Sequence, residues 1–121
     1  MKVVVTDCNF ESFSEERAMC ERNGYTLEIH QCKTPEEVIA IAADADALFV
    51  QYVPITDAVL AALKCCKAIV RYGIGLDNID LAAAHKHNVP VCNVPDYGID
   101  EVADHAAALT LALLRQLPFW D

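Results

Sequence analysis

The sequence has few basic residues and no long apolar run. Its 121 residues include 9 Lys and Arg against 18 Asp and Glu, which gives a formal charge of -9 at pH 7. Nucleic acids and anionic membranes bind clusters of Lys and Arg, so this charge argues against both partners. No stretch approaches the ~20 apolar residues of a membrane-spanning helix, and the apolar run at the N-terminus is too short for a signal peptide. We therefore expect a cytoplasmic protein.

The sequence also lacks the spacings of a metal or redox centre. None of its six cysteines belongs to a Cys-x-x-Cys pair, and most lie in apolar segments. His30, His85 and His87 have no partner pair at the spacing of a zinc site. The adjacent Cys65 and Cys66 are too close together for an easy disulfide. We therefore expect reduced thiols, mostly in the core, and no metal site.

Short apolar runs recur along the chain at regular intervals. With 55% hydrophobic and 22% charged residues, a chain of this length is typical of one globular domain. Most of the runs are continuous rather than alternating, which favours strands buried on both faces of a parallel sheet. Five strands are expected to begin near Val3, Thr26, Ala47, Ala68 and Val89.

Helix-capping residues stand between these runs. Thr34, Pro35 and Glu37 provide an N-cap, a first-turn proline and a returning carboxylate, which together predict a capping box. A similar box is predicted at Ser12-Phe13-Ser14-Glu15, with Gly24 as the left-handed end of that helix. The remaining helices are predicted to begin at Thr56-Asp57, at Asp77 or Asn78, and at Asp100-Glu101, the last ending before Pro118.

Five strands that alternate with five helices predict a doubly wound α/β fold. Each parallel crossover requires a helix and is right-handed, and for five strands we expect the flavodoxin-like order 2-1-3-4-5. Ligands of such sheets bind at the carboxyl ends of the strands. The expected site therefore lies in four loops, at residues 7–13, 51–55, 72–77 and 93–98.

The third of these loops contains Gly73-Ile74-Gly75 directly after an apolar strand. A dinucleotide-binding turn needs a third glycine for close helix–strand packing, but Asn78 occupies that position, and the motif lies in the fourth βα unit rather than the first. The two glycines still leave the amides of Ile74, Gly75 and Leu76 uncovered at a strand end, where backbone N–H groups favour an anion. We expect a carboxylate at this loop rather than the phosphates of NAD.

Three segments of the chain carry a family pattern: Arg71–Asp80, Val89–Tyr97 and Glu101–Ala106. Together they resemble the D-isomer-specific 2-hydroxyacid dehydrogenases, the family that includes phosphoglycerate dehydrogenase. The resemblance implies a flavodoxin-like substrate domain over residues 1–98 and an interdomain crossover helix over residues 99–121. In the family, an NAD-binding domain follows that helix.

The resemblance also implies roles for single residues. It assigns the binding of a substrate carboxylate to Gly73, Ile74 and Gly75 in the glycine loop, with help from Gln51, Tyr52 and Val53 after the third strand. The family's NAD fingerprint and its catalytic Arg, Glu and His lie downstream of residue 121, and His105 matches a structural position.

The resemblance thus predicts the isolated substrate domain of an NAD-dependent D-2-hydroxyacid dehydrogenase. It would bind a small 2-hydroxy or 2-oxo acid weakly, hold no catalytic residue and no cofactor, and be inactive alone.

The last predicted helix leaves two arrangements open. Between Ala106 and Leu114, Thr110 is the only polar residue. We expect the helix either to fold back as the fifth helix of the sheet or to form a homodimer through residues 100–117. A ligand-free flavodoxin-like folding or assembly module is the alternative function. A phospho-receiver domain is disfavoured, since Gln51 and Asn93 stand where its aspartate and lysine would be.

Overall fold

The computed structural model describes residues 1–117. Pro118, which is predicted to follow the last helix, lies outside the described residues. Within them, the strands are β1 (Lys2–Val5), β2 (Thr26–Ile29), β3 (Ala47–Val50), β4 (Ala68–Arg71) and β5 (Val91–Cys92). The helices are α1 (Ser14–Asn23), α2 (Pro35–Ala42), α3 (Asp57–Ala62), α4 (Leu81–Lys86) and α5 (Ile99–Leu114).

The five strands form one parallel sheet in the order β2-β1-β3-β4-β5, which confirms the predicted α/β topology. Val5 at the end of β1 is in register with Ile29 of β2 and Phe49 of β3. The chain leaves β1 towards β2 and later crosses to β3, so the order reverses at this point. The loops that follow the strands therefore meet at one edge of the sheet, where parallel sheets bind ligands.

The main core lies between one face of the sheet and helices α2, α3 and α4. Leu48 and Val50 of β3 and Ile69 of β4 are buried in it, together with Val38 of α2 and Leu60 of α3. Continuous apolar strands supply such residues on both faces, which is why the apolar runs were sufficient to locate the sheet. Helix α1 contributes no residue to this cluster and packs on β2 instead.

Several predicted helix ends are confirmed by their hydrogen bonds. The Thr34 hydroxyl accepts a bond from the N–H of Glu37, and the Glu37 carboxylate accepts one from the N–H of Thr34. The Thr56 hydroxyl accepts a bond from the N–H of Val59 at the start of α3. Gly24 follows α1 with a φ of 66°, the left-handed conformation that ends the helix.

The capping box predicted at Ser12 does not form. Helix α1 begins at Ser14, and its N-cap is Phe13, which makes no side-chain cap. The Ser12 hydroxyl accepts a bond from the N–H of Ser14 instead. The serine is thus used in the turn before the helix, a competing local bond that residues of this type often make.

Helix α4 begins later than predicted. Its N-cap is Asp80, whose carboxylate accepts a bond from the N–H of Ala83, rather than Asp77 or Asn78. The preceding Ile79 forms an isolated parallel bridge with Ile55, which holds this segment extended. Long-range pairing therefore overrides the local capping preference of the two earlier residues.

Strand β5 also begins later than predicted, at Val91. The N–H of Val89 bonds to the carbonyl of Ala84, so this residue still belongs to the turn that closes α4. Pro90 follows it and has no N–H to offer a neighbouring strand.

Helix α5 differs most from the sequence expectation. None of its residues is buried, so it does not fold back as the fifth helix of the sheet. The sheet face opposite the main core keeps Ala47 and Phe49 only half-buried. Packing of a homodimer through residues 100–117 stays a prediction. No helix in residues 1–117 is long and apolar enough to cross a membrane.

The six thiols are unpaired, but only half of them lie in the core. Cys8, Cys20 and Cys32 are buried, whereas Cys65 and Cys92 are exposed and Cys66 is intermediate. Of the two exposed cysteines, Cys65 lies three residues after the end of α3, and Cys92 is the last residue of β5.

We predict that Leu48→Ala lowers the free energy of unfolding by about 2–5 kcal/mol, because it leaves a cavity in a fully buried position. Leu81→Ala is the matched control, since Leu81 is 48% exposed, and its effect should stay within about 0.5 kcal/mol. Urea unfolding followed by circular dichroism measures both. Equal effects of the two variants would contradict this assignment of the core.

Candidate functional site

The glycine loop after β4 presents free amides, among them those of Ile74, Gly75 and Leu76. Gly73 is buried with a φ of 147°, its N–H bonds to the carbonyl of Arg71, and its carbonyl accepts a bond from the N–H of Val94. The N–H groups of Ile74 and Gly75 donate no hydrogen bond to a residue in the part of the chain that the structure describes. Backbone N–H groups exposed in this way attract anions.

Two features weaken the loop as an anion site by itself. A Cβ at Gly75 would lie 3.1 Å from a carboxylate oxygen of Asp77, so one negative charge already stands close by. Helix α4 begins only at Leu81, so its N-terminus is not at the loop, contrary to the sequence expectation. The site therefore needs a positive charge from elsewhere.

Arg71 supplies that charge, and the sequence analysis did not single it out. Its guanidinium packs over Gly73 so closely that a side chain at position 73 would collide with it. Its Nε donates to the carbonyl of Gln51 at 3.3 Å. Among residues 1–117 it forms no ion pair with a carboxylate. The available signal was a single cation at the end of an otherwise apolar strand, directly before a glycine loop.

The amides of the loop after β3 are already occupied. The buried carboxylate of Asp7 accepts bonds from the N–H groups of Gln51 at 3.2 Å, Tyr52 at 2.6 Å and Val53 at 3.2 Å. The Thr6 hydroxyl donates a further bond to it at 2.9 Å. This differs from the expectation that Gln51, Tyr52 and Val53 help to bind a substrate carboxylate, because an internal carboxylate fills their place.

The side chains of Tyr52 and Val53 have different surroundings. Val53 is 2% exposed and belongs to the core. The Tyr52 ring is exposed, and its hydroxyl accepts a long bond of 3.4 Å from the Asn9 amide. The carbonyl of Gln51 does belong to the site, since it holds Arg71.

Asn78 joins the two loops that form the site. Its side-chain amide donates to the carbonyl of Val53 at 3.1 Å, and its own carbonyl accepts a bond from the N–H of Ile55. A glycine here, as a dinucleotide turn requires, would lose the first of these bonds. Helix α4 begins at Leu81, so the loop also lacks the adjoining helix N-terminus that holds the pyrophosphate in a dinucleotide turn.

A cavity of about 260 Å³ opens beside Gly73. Its other lining residues come from four different loops: Phe10, Gln51, Tyr72, Val94 and Tyr97. The Tyr72 ring stacks on Phe49 with centroids 5.1 Å apart. Its hydroxyl donates to the Glu16 carboxylate at 2.7 Å. Burial and this neighbouring carboxylate raise the pKa of Tyr72, so the phenol stays neutral.

A second cavity, of about 340 Å³, lies on the other side of the β3 loop and includes Asp7, Cys8, Cys32 and Tyr52 in its lining. Burial raises the pKa of both thiols, which keeps them protonated and poorly nucleophilic. His105 lies on the exposed helix α5, away from both cavities. No group of three or more His, Cys, Asp or Glu residues suited to a metal occurs within residues 1–117.

We predict that Asp7→Asn lowers the free energy of unfolding by roughly 1–3 kcal/mol, because one amide oxygen replaces a carboxylate that accepts from three N–H groups. Amide hydrogen exchange at Tyr52 and Val53 should also become faster. The exposed Asp96→Asn is the control and should change neither quantity. Unchanged exchange at both amides in Asp7→Asn would overturn the role given to this carboxylate.

Three comparisons with known proteins bear on this site. A family profile described as D-isomer specific 2-hydroxyacid dehydrogenase, catalytic domain, matches residues 3–116. The D-3-phosphoglycerate dehydrogenase of Mycobacterium bovis is 44% identical over 87 residues, which cover 71% of this chain and 16% of that protein. The solved NAD+-bound 3-phosphoglycerate dehydrogenase of Entamoeba histolytica superposes with a TM-score of 0.79 and 30% identity, over 93% of this chain and 38% of that one.

A solved D-2-hydroxyisocaproate dehydrogenase superposes with a TM-score of 0.77 and 25% identity, over 97% of this chain and 36% of that one. The chain thus spans well under half the length of these relatives. The profile match covers almost all of the described residues, together with the parallel sheet and the glycine loop. On this evidence of sequence and fold, the chain belongs to the D-isomer-specific 2-hydroxyacid dehydrogenase family, of which it corresponds to the substrate-binding domain.

Proposed function

We propose that the glycine loop and Arg71 bind the carboxylate of a small 2-hydroxy or 2-oxo acid. The observation that carries this proposal is the Arg71 guanidinium, which has no carboxylate partner in residues 1–117 and lies over Gly73, the glycine directly before the free N–H groups of Ile74 and Gly75. A guanidinium fork and two amides match the two oxygens of a carboxylate, and bonds to a charged acceptor are the stronger kind. The relatives are named as dehydrogenases of acids of this class.

In this proposal the chain binds and orients the acid but does not oxidise it. NAD, which the Entamoeba relative binds, supplies the hydride acceptor in such a reaction. The glycine loop does not fit it, so we assign no cofactor to residues 1–117 and expect no turnover by this chain alone. The free thiols fit a reducing compartment, and we place the protein in the cytoplasm.

We predict that millimolar pyruvate or 2-oxoisocaproate shifts the amide resonances of Ile74 and Gly75 in ¹H–¹⁵N spectra of the chain. Arg71→Gln should weaken binding by roughly tenfold or more, because it removes a charge-assisted contact. Arg17→Gln removes an equal charge from exposed α1 and should leave the affinity unchanged. If neither acid moves the two amides, the proposal fails, and the ligand-free assembly module becomes the better interpretation.

We further propose that a second copy of the chain packs on α5. Leu111, Leu113 and Leu114 are 62%, 68% and 74% exposed, and a helix with such a surface gains free energy when another apolar surface covers it. Closed homodimers are the commonest assemblies of this kind.

Light scattering after size exclusion should therefore give a mass that approaches twice that of one chain as the concentration rises. Leu113→Glu should restore a monomer, because it buries a charge in the interface. Asp104→Ser on the same helix is the control and should leave the dimer intact. A concentration-independent monomer for the unaltered chain would refute the dimer.

A further inference from the structure

The cavity beside Gly73 adjoins the proposed carboxylate site. Gly73 both lines this cavity of about 260 Å³ and begins the loop that carries the free amides. The Arg71 guanidinium lies directly over the same glycine. An acid whose carboxylate is held by Arg71 and the loop therefore has the cavity within reach of the substituent on its next carbon atoms.

Apart from Gln51, the side chains in the walls of the cavity are aromatic and aliphatic. Phe10, Tyr72, Val94 and Tyr97 surround it, and the Phe10 and Tyr72 rings meet edge to face with centroids 5.2 Å apart. The Tyr72 hydroxyl already donates its hydrogen bond to the Glu16 carboxylate. Gln51 also lines the cavity, and its Oε1 accepts a bond from the N–H of Asn9 at 2.8 Å. An uncharged apolar group that enters the cavity therefore displaces water mainly from apolar atoms of the wall.

The charges around the cavity are unfavourable to an anion. In the described part of the chain, no Lys, Arg or His belongs to its lining. Glu16 is half-buried and holds its carboxylate 2.7 Å from the Tyr72 hydroxyl, just behind the wall. The guanidinium of Arg71 lies over Gly73, a lining residue of the cavity. In the proposed function, the carboxylate of the acid already binds this guanidinium. A second negative group on the ligand would face Glu16 without compensation.

Resting on the proposed function, we infer that this domain selects acids with an apolar side chain, such as isobutyl or benzyl, over acids whose side chain carries a phosphate or carboxylate. The relatives include enzymes named for both kinds of acid, 3-phosphoglycerate and 2-hydroxyisocaproate. By the lining of its cavity, we group this chain with the enzyme named for 2-hydroxyisocaproate. We do so although the chain is 44% identical, over 87 residues, to the phosphoglycerate enzyme of Mycobacterium bovis.

A ligand series tests the inference on the chain itself. Dissociation constants of pyruvate, 2-oxoisocaproate, phenylpyruvate, 2-oxoglutarate and 3-phosphohydroxypyruvate are measured from the amide shifts of Ile74 and Gly75. Each buried carbon should strengthen binding roughly fourfold, so 2-oxoisocaproate, with three more carbon atoms, should bind up to roughly 60-fold more tightly than pyruvate. The two acids with a second anionic group should bind more weakly than pyruvate.

Glu16→Gln supplies the second arm, because glutamine keeps a hydrogen bond to Tyr72 but removes the charge. It should strengthen the binding of 3-phosphohydroxypyruvate at least roughly threefold relative to that of 2-oxoisocaproate. Glu15→Gln, on the exposed neighbouring residue, removes the same charge from the chain and should alter neither constant.

The possible results distinguish a failure of the selectivity for apolar side chains from a failure of carboxylate binding itself. If no acid shifts the two amides, the proposed function fails and the inference fails with it. If the acids bind but 3-phosphohydroxypyruvate binds as tightly as 2-oxoisocaproate, the carboxylate site stands and the inference alone is overturned. If Glu15→Gln changes the affinity for the phosphorylated acid as much as Glu16→Gln does, the selectivity comes from the net charge of the chain and not from this cavity.

Discussion

The buried carboxylate of Asp7 is the contact on which the rest of the site depends. Asp7 lies just after β1, and its carboxylate accepts hydrogen bonds from the N–H groups of residues 51–53, which follow β3. Strands β1 and β3 are neighbours in the sheet, at the point where the strand order reverses. Three buried N–H groups without an acceptor would each be costly, so this one side chain determines the path of the β3 loop. The loop then presents its carbonyls outwards.

Those carbonyls position the glycine loop in turn. The carbonyl of Gln51 accepts the Nε of Arg71, and the carbonyl of Val53 accepts the amide of Asn78. The glycine loop is therefore held at both of its ends by a loop that is itself held by Asp7. The amides of residues 51–53 donate to the carboxylate of Asp7. The amides of Ile74 and Gly75 remain free for the carboxylate of a ligand in the proposed function. In a chain of charge -9, a preorganised guanidinium is what makes such a site attractive to a carboxylate.

Local sequence patterns were sufficient for the fold and insufficient for this network. The strands follow from continuous apolar runs and the start of α2 from Thr34 and Glu37, because both depend on residues close together in the chain. The sheet order follows from the doubly wound topology expected of alternating strands and helices. The bonds to Asp7 join residues 44 to 46 positions apart, so no local spacing reveals them. The late start of α4 has the same origin, since the Ile55–Ile79 bridge is a tertiary contact. Tyr52 and Val53 were assigned from the family pattern, which does not show that Asp7 already uses their amides.

The exposed helix and the substrate cavity are connected through the sheet. Strand β3 buries Leu48 and Val50 under α2 and α3, whereas Phe49 on its opposite face is only half-buried, and no residue of α5 is buried. Phe49 is the residue on which the Tyr72 ring stacks, and Tyr72 forms a wall of the cavity. The wall is therefore supported from below by one aromatic ring and from the side by Glu16. The hydrogen bond to Glu16 fixes the orientation of the Tyr72 ring, which stacking on Phe49 alone would allow to slide. It also puts the negative charge of Glu16 beside the cavity. The same interaction thus makes the pocket rigid and sets its preference for uncharged groups.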